Sequence, residues 1–238
     1  FVKFLYTEKE NKNYYKNYFN DFEKRISKIY LPKVDFLKKT LKNKKLNLLD
    51  IGSGAGHFLK SCEIKKISAI GYEPNKILCK LAQKKLNKNK IFHINLEEIY
   101  SIVEHSKSNC LSLIGVLEHL QKPHKLLESF NKSKIKYLYF SLPLFSLSVL
   151  LEIMNQNVFL RQLSAAHTHL YTEKSIKFLC KKYNLKIEGE WWFGTDMPDL
   201  WRQFLVKTNL DDKIFDKYLK NLINDLQNVL DRNKVSSE

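Results

Sequence analysis

Arginine and glycine are scarce in this sequence, and paired cysteines are absent. Of its 41 basic residues only four are arginine (Arg25, Arg161, Arg202 and Arg232), although the formal net charge is +16. Clustered basic side chains bind nucleic acid by neutralising phosphates, and arginine does so better than lysine because its planar fork bonds two oxygens at once. Here the lysines are scattered and mixed with asparagine, a composition that suits solvated faces, so a nucleic-acid partner is disfavoured. Cys62, Cys79, Cys110 and Cys180 stand far apart, with no Cys-x-x-Cys pair and no Cys/His spacing suited to zinc. They read as small core residues in a reducing cytoplasm, and no metal is expected. The longest uncharged run, Tyr137 to Leu151, is interrupted by Pro143 and several serines. It falls short of the ~20 residues a helix needs to cross a bilayer, so no membrane span is expected. The N-terminal stretch has no apolar signal-peptide core, and a first residue that is Phe1 rather than Met leaves a longer protein open.

What is present suffices for one globular domain over residues 1–238, since 44% of the residues are hydrophobic. Tyr15, Tyr18, Phe19, Phe22, Ile26 and Ile29 recur at helical spacing, and Pro32 opens a second helix carrying Val34, Leu37 and Leu41. These two lead-in helices fill residues 1–45. From residue 46 short apolar runs alternate with amphipathic stretches, the rhythm of a parallel sheet buried on both faces. Strands are expected at 46–51, 67–72, 91–94, 110–115 and 135–141, with helices at 55–62, 75–87, 96–104 and 122–131. A looser stretch at 143–171 reads as an insertion, and Thr172 caps a helix with Ile176, Leu179 and Tyr183 on its inner face. Residues 185–193 and an antiparallel strand at 204–207 would complete a seven-stranded, mostly parallel Rossmann-like α/β sheet over 46–208. Phe215, Tyr218, Leu219, Leu222, Leu226 and Val229 mark a C-terminal helix within 209–238, a surface able to mediate a dimer.

Three of the seven glycines fall within Leu48-Leu-Asp-Ile-Gly-Ser-Gly-Ala-Gly-His57. A strand that ends in an acid and runs through Gly52, Gly54 and Gly56 into a helix must turn sharply and let a ligand approach its backbone. The dinucleotide fingerprint is Gly-x-Gly-x-x-Gly, with pyrophosphate over the helix N-terminus. This chain has His57 at the third glycine position, and Asp50 would repel pyrophosphate while attracting the ammonium and sulfonium of S-adenosylmethionine (SAM). Ile67-Ser-Ala-Ile-Gly-Tyr-Glu73 is a second strand ending in an acid, which can accept hydrogen bonds from both ribose hydroxyls.

On these residues the chain resembles the class I SAM-dependent methyltransferases, similar to stand-alone bacterial enzymes of quinone and surface-sugar biosynthesis. The resemblance covers roughly residues 46–193. It implies that Asp50, Gly52, Gly54 and Gly56 cradle the methionine part of SAM, that Glu73 binds the ribose, and that Asn95 and Leu96 flank the adenine. Many relatives carry Asp where this chain has Asn95. Leu111-Ser-Leu-Ile-Gly-Val-Leu-Glu-His-Leu120 matches the family element that runs past the transferable methyl.

The acceptor is narrowed by what is missing after the fourth strand. Gly115-Val-Leu-Glu lacks the (Asp/Asn)-Pro-Pro-(Tyr/Phe) element that enzymes methylating base or amide nitrogens resemble one another in. No cysteine nucleophile and no Asp/Asn cluster for Mg²⁺ stands there. A small-molecule acceptor is expected, with a sugar or sugar-nucleotide of surface-polysaccharide synthesis implied by the resemblance alone. His119, following the fourth strand, is the first candidate for a general base and His169, in the loop from Arg161 to Tyr171 after the fifth, is the second, with the two expected to meet over the methyl group. His167, Tyr171 and Asp196 are candidate substrate-binding residues, the last within an aromatic segment able to stack on a ring. A nucleic-acid-directed methyltransferase and a non-catalytic SAM-binding module remain open alternatives.

Overall fold

The computed structural model describes residues 21–42, 44–86, 90–155, 160–163, 167–208 and 212–238, for 212–218 the backbone alone. Tyr15, Tyr18 and Phe19 lie outside these, as do parts of the 143–171 segment. The chain divides between Ser141 and Leu142 into two compact units.

The first unit begins with α1 (Phe22–Arg25), a π turn (Ile26–Tyr30) and α2 (Leu31–Thr40). Instead of two separate helices these run on without a break. Pro32 has no N–H for the preceding turn and its ring crowds that turn's carbonyl, and a widened π turn just before it accommodates both. The alternating core follows as β1 (Asn47–Ile51), α3 (His57–Ile64), β2 (Ser68–Glu73), α4 (Lys76–Lys85) and β3 (Ile91–His93). A 3₁₀ turn (Leu96–Glu98) leads into α5 (Ile99–Glu104) and β4 (Cys110–Ile114). A second 3₁₀ turn (Leu117–His119) leads into α6 (Pro123–Lys132) and β5 (Tyr137–Ser141).

The sheet has the order β3-β2-β1-β4-β5, every neighbouring pair parallel. Side chains alternate across it. Leu48, Ala69, Ile91 and Cys110 share one core with Val34 and Leu37 of α2, Phe58 and Cys62 of α3, and Cys79 and Ala82 of α4. Leu49, Leu111 and Leu113 are buried on the opposite face, where α5 and α6, packed on each other, bury Ile99, Val103, Leu126 and Phe130. Strand order reverses between β1 and β4, so the crevice beyond their carboxyl ends is where such a sheet binds ligands.

The second unit holds α7 (Leu147–Met154), α8 (Glu173–Lys182), α9 (Asp196–Thr208) and α10 (Asp212–Arg232). Thr172 caps α8 as expected, exchanging bonds with Ser175 in which each backbone N–H donates to the other hydroxyl, at 2.8 and 3.1 Å. Among the described residues the sheet has five parallel strands, which corrects the expected seven with an antiparallel last strand. Residues 185–193 are irregular, with Ile187 and Trp191 exposed. Residues 204–207 belong to α9, because a short apolar run reads alike in a strand and in a helix face, and Asp196, Pro198 and Asp199 are start signals for the helix that contains it. On α10, Leu222, Leu226 and Val229 stand exposed. No helix among the described residues is long and apolar enough to cross a membrane.

Candidate active site

β1 delivers Asp50 to the carboxyl edge, fully buried, and the parallel register sets Ser112 of β4 beside it. Ser112 Oγ donates to Asp50 Oδ1 at 2.7 Å. The chain then turns through Gly52, Gly54 and Gly56 at φ +72, +54 and +84, angles that side chains rarely adopt. The three glycines are not equivalent. A Cβ on Gly52 would meet Val116 Cγ2 at 2.7 Å, and one on Gly56 would meet Leu86 Cδ1 at 2.6 Å, whereas one on Gly54 would find nothing within 4 Å. Gly52 and Gly56 are required by packing, while Gly54 faces open space.

Glu73 ends β2 and reaches back to this turn. Its Oε2 accepts from Gly54 N–H at 2.6 Å and its Oε1 from Asn75 N–H at 2.7 Å. Each oxygen keeps a further lone pair, so the same carboxylate that shapes the glycine turn can also accept two ribose hydroxyls. Asn95 and Leu96 follow β3, the strand beside β2. Asn95 is exposed and its N–H donates to Glu98 Oε2 at 2.6 Å, closing the 3₁₀ turn, and Leu96 is half-buried.

Burial pushes the Asp50 carboxyl up to about 7, against hydrogen bonds from Ser112 and Ser53 that favour ionisation. Burial also pushes Glu73 up to about 7, against the bonds from Asn75 and Gly54 and with the negative charge of Asp50 adding to the rise. Two carboxylates disfavoured as anions fit a ligand that brings positive charge and hydroxyl donors, as SAM does. Both folded-state values lie above the unfolded ones. The stability these groups contribute is therefore fully present below about pH 4 and is lost as pH rises through about 7. Ligand binding has the opposite dependence, because the ligand needs the ionised forms. Affinity for S-adenosylhomocysteine (SAH) is expected to level off above about pH 8 and to fall between pH 8 and pH 6, by up to about tenfold for each titrating carboxylate. Proton release, from calorimetric heats in two buffers, checks this, and pH-independent affinity would contradict it.

His119 ends the 3₁₀ turn beyond β4, its side chain 23% exposed and its Nε2 3.8 Å from Oε1 of the buried Glu118. His169, His167, Tyr171 and Asp196 belong to the second unit. His169 Nδ1 is 2.9 Å from Thr168 Oγ1, and its ring stacks with Tyr171 at 6.1 Å. His167 Nδ1 bonds Gln162 O at 2.8 Å. Tyr171 is buried and its carbonyl accepts from Phe145 N–H. Asp196, fully buried, ties three segments together, accepting from the Ser146 and Ser148 hydroxyls and from Ser148 and Ser237 N–H. Burial raises its pKa, but these hydrogen bonds outweigh it and leave the carboxyl below its ordinary value. Its geometry is that of a structural clamp. Ser112 was missed from sequence; a serine inside an apolar strand carries no signal until register sets it beside an acid.

A methyltransferase-domain family profile matches residues 22–190. The plantazolicin methyltransferase BpumL, solved with a pentazolic desmethylPZN analog and SAH, superimposes with a TM-score of 0.50 at 17% identity, over 74% of this chain and 70% of that one. At that identity the likeness shows the fold. A SAM-dependent methyltransferase from Archaeoglobus fulgidus gives a TM-score of 0.48 at 22% identity, over 64% of this chain and 67% of that one. A possible histamine N-methyltransferase from Thermotoga maritima gives 0.49 at 17%, over 74% and 78%. No curated protein matches the chain. With a family profile spanning most of its length and a parallel sheet that brings an acid-flanked glycine turn to the switch point, the chain belongs to the methyltransferase-domain family and is a SAM-dependent methyltransferase.

Proposed function

We propose that the chain methylates a small molecule, a sugar or sugar-nucleotide of surface-polysaccharide synthesis, with Asp50, Gly54 and Glu73 holding the cofactor and His119 taking the acceptor's proton. SAM supplies an electrophilic methyl group on a cationic sulfur. The protein's part is to align the nucleophile with it, exclude water and accept a proton. The observation that supports this reading is the half-shielded His119 immediately beyond β4, beside a buried carboxylate. A neutral imidazole there can accept a proton from a hydroxyl, and Glu118 would stabilise the imidazolium formed. The sugar assignment rests on family resemblance.

The test is SAH release from SAM in the presence of sugar-nucleotides, followed by substitution. His119→Ala is expected to lower turnover by at least about 100-fold while leaving SAH affinity within a few-fold, since general-base help is typically worth about 10²- to 10⁴-fold. His169→Ala is the second variant, with the same expectation if that ring is the base. Near-normal turnover in both on the true acceptor would overturn base catalysis by histidine and leave alignment to carry the rate.

A further inference from the structure

Lys33 is buried, 3% exposed, in a chain whose other described lysines are half-buried or exposed. It lies on α2, just after the π turn, and its Nζ donates to Ser141 Oγ at 2.5 Å. The Tyr139 hydroxyl donates to Lys33 O at 3.1 Å, so β5 fixes the backbone from which the ammonium projects. The same helical lead-in touches the glycine turn, because His57, the residue after Gly56, packs between Phe22 and Tyr30 at ring distances of 4.4 and 5.2 Å.

Register tells where that ammonium stands relative to the cofactor residues. Asp50 is level with Ser112, and Ser112 with Tyr139, so all three side chains point to the α2 and α3 face of the sheet. Ser141 is two residues beyond Tyr139 on the same face, at the carboxyl end of β5. The Lys33 ammonium, on Ser141 Oγ, therefore lies at the carboxyl end of the sheet on the side to which Asp50 points, two strand spacings across and two residues further along, about 12 Å from the position of Asp50. With the ribose at Glu73 on β2 and the adenine beyond β3, the methionine end of SAM has to run the other way from β1, toward β4 and β5. An α-amino-acid head with its ammonium on Asp50 and a charge-assisted bond at each end covers about 8–9 Å, and the flexible four-carbon stem of Lys33 can swing from Ser141 to close the rest and meet the carboxylate.

We propose that Lys33 is the cation that holds the methionine carboxylate of SAM, a positioning residue that orients the methyl by fixing the far end of the cofactor. This rests on the SAM reading of Asp50 and Glu73.

The experiment compares two ligands in wild type and Lys33→Met by calorimetry: SAH, and 5′-methylthioadenosine, which keeps the adenine, ribose and sulfur but has no amino-acid head. Loss of a charge-assisted bond is expected to weaken SAH by about 10- to 100-fold. Affinity for 5′-methylthioadenosine is expected to stay within about twofold, which also shows that the variant is folded at the site. Unchanged SAH affinity overturns the proposal while leaving the cofactor site intact, and a raised KM for the acceptor in that case assigns the ammonium to the acceptor. Equal weakening of both ligands overturns it in favour of a structural lysine. Failure of wild type to bind either ligand overturns the cofactor reading itself.

Discussion

Gly54→Val is expected to abolish SAH binding while leaving the fold in place. Gly54 has φ +54, and a Cβ there would meet nothing within 4 Å. A Cβ at this position therefore clashes with nothing in the protein, unlike one at Gly52 or Gly56. The substitution costs the strain of a β-branched residue in a left-handed conformation, about 1–2 kcal/mol, which a domain of this size tolerates. The new side chain enters the open space beside the Glu73 carboxylate, where the cofactor must approach the backbone. Gly52 and Gly56 are poorer probes, since Val116 and Leu86 already occupy the volume a side chain would need there and a loss of binding would be confounded with loss of fold. Circular dichroism and a thermal melt check the fold and calorimetry the binding. A variant that binds SAH normally would remove Gly54 from the site.

Glu73→Ala is expected to weaken SAH by about 2–4 kcal/mol, or roughly 30- to 1000-fold, the loss of two hydrogen bonds to a charged acceptor. The bonds from Gly54 and Asn75 N–H to this carboxylate add to the effect, because alanine leaves both donors to find other acceptors and loosens the turn. Removing a buried carboxyl whose ionisation is already disfavoured relieves a desolvation cost, so a large loss of stability is not expected. Glu73→Gln, which keeps one acceptor oxygen, is expected to fall between alanine and wild type. Unchanged affinity in a folded Glu73→Ala protein would remove the ribose assignment.

The five parallel strands were legible to within two residues at either end, because strands buried on both faces are continuous apolar runs and their ends are marked by Asp50, Glu73 and glycine. The segments after Ser141 were less legible. The one regular feature of 185–193 is that Phe193 exchanges two backbone hydrogen bonds with Glu238, a pairing with a distant segment that no local pattern announces. Residues 204–207 were misread because Phe-Leu-Val satisfies a strand pattern over a few residues and a helix pattern only over the longer window that starts at Asp196. Within the site, Asp50, Gly54 and Glu73 were readable because their chemistry depends on order along the chain. Lys33 and Ser112 were not, since each acquires its place from another element, and a buried lysine on an amphipathic helix looks like its many exposed counterparts.

The most direct measurement of the central claim is a calorimetric titration of the whole chain near pH 8, where Asp50 and Glu73 are mostly ionised, with SAH and with NAD in parallel. SAH is expected to bind with micromolar affinity and NAD to give no binding heat, since Asp50 stands where a pyrophosphate would be repelled. Binding of NAD without SAH would contradict the assignment of this acid-flanked glycine turn to SAM.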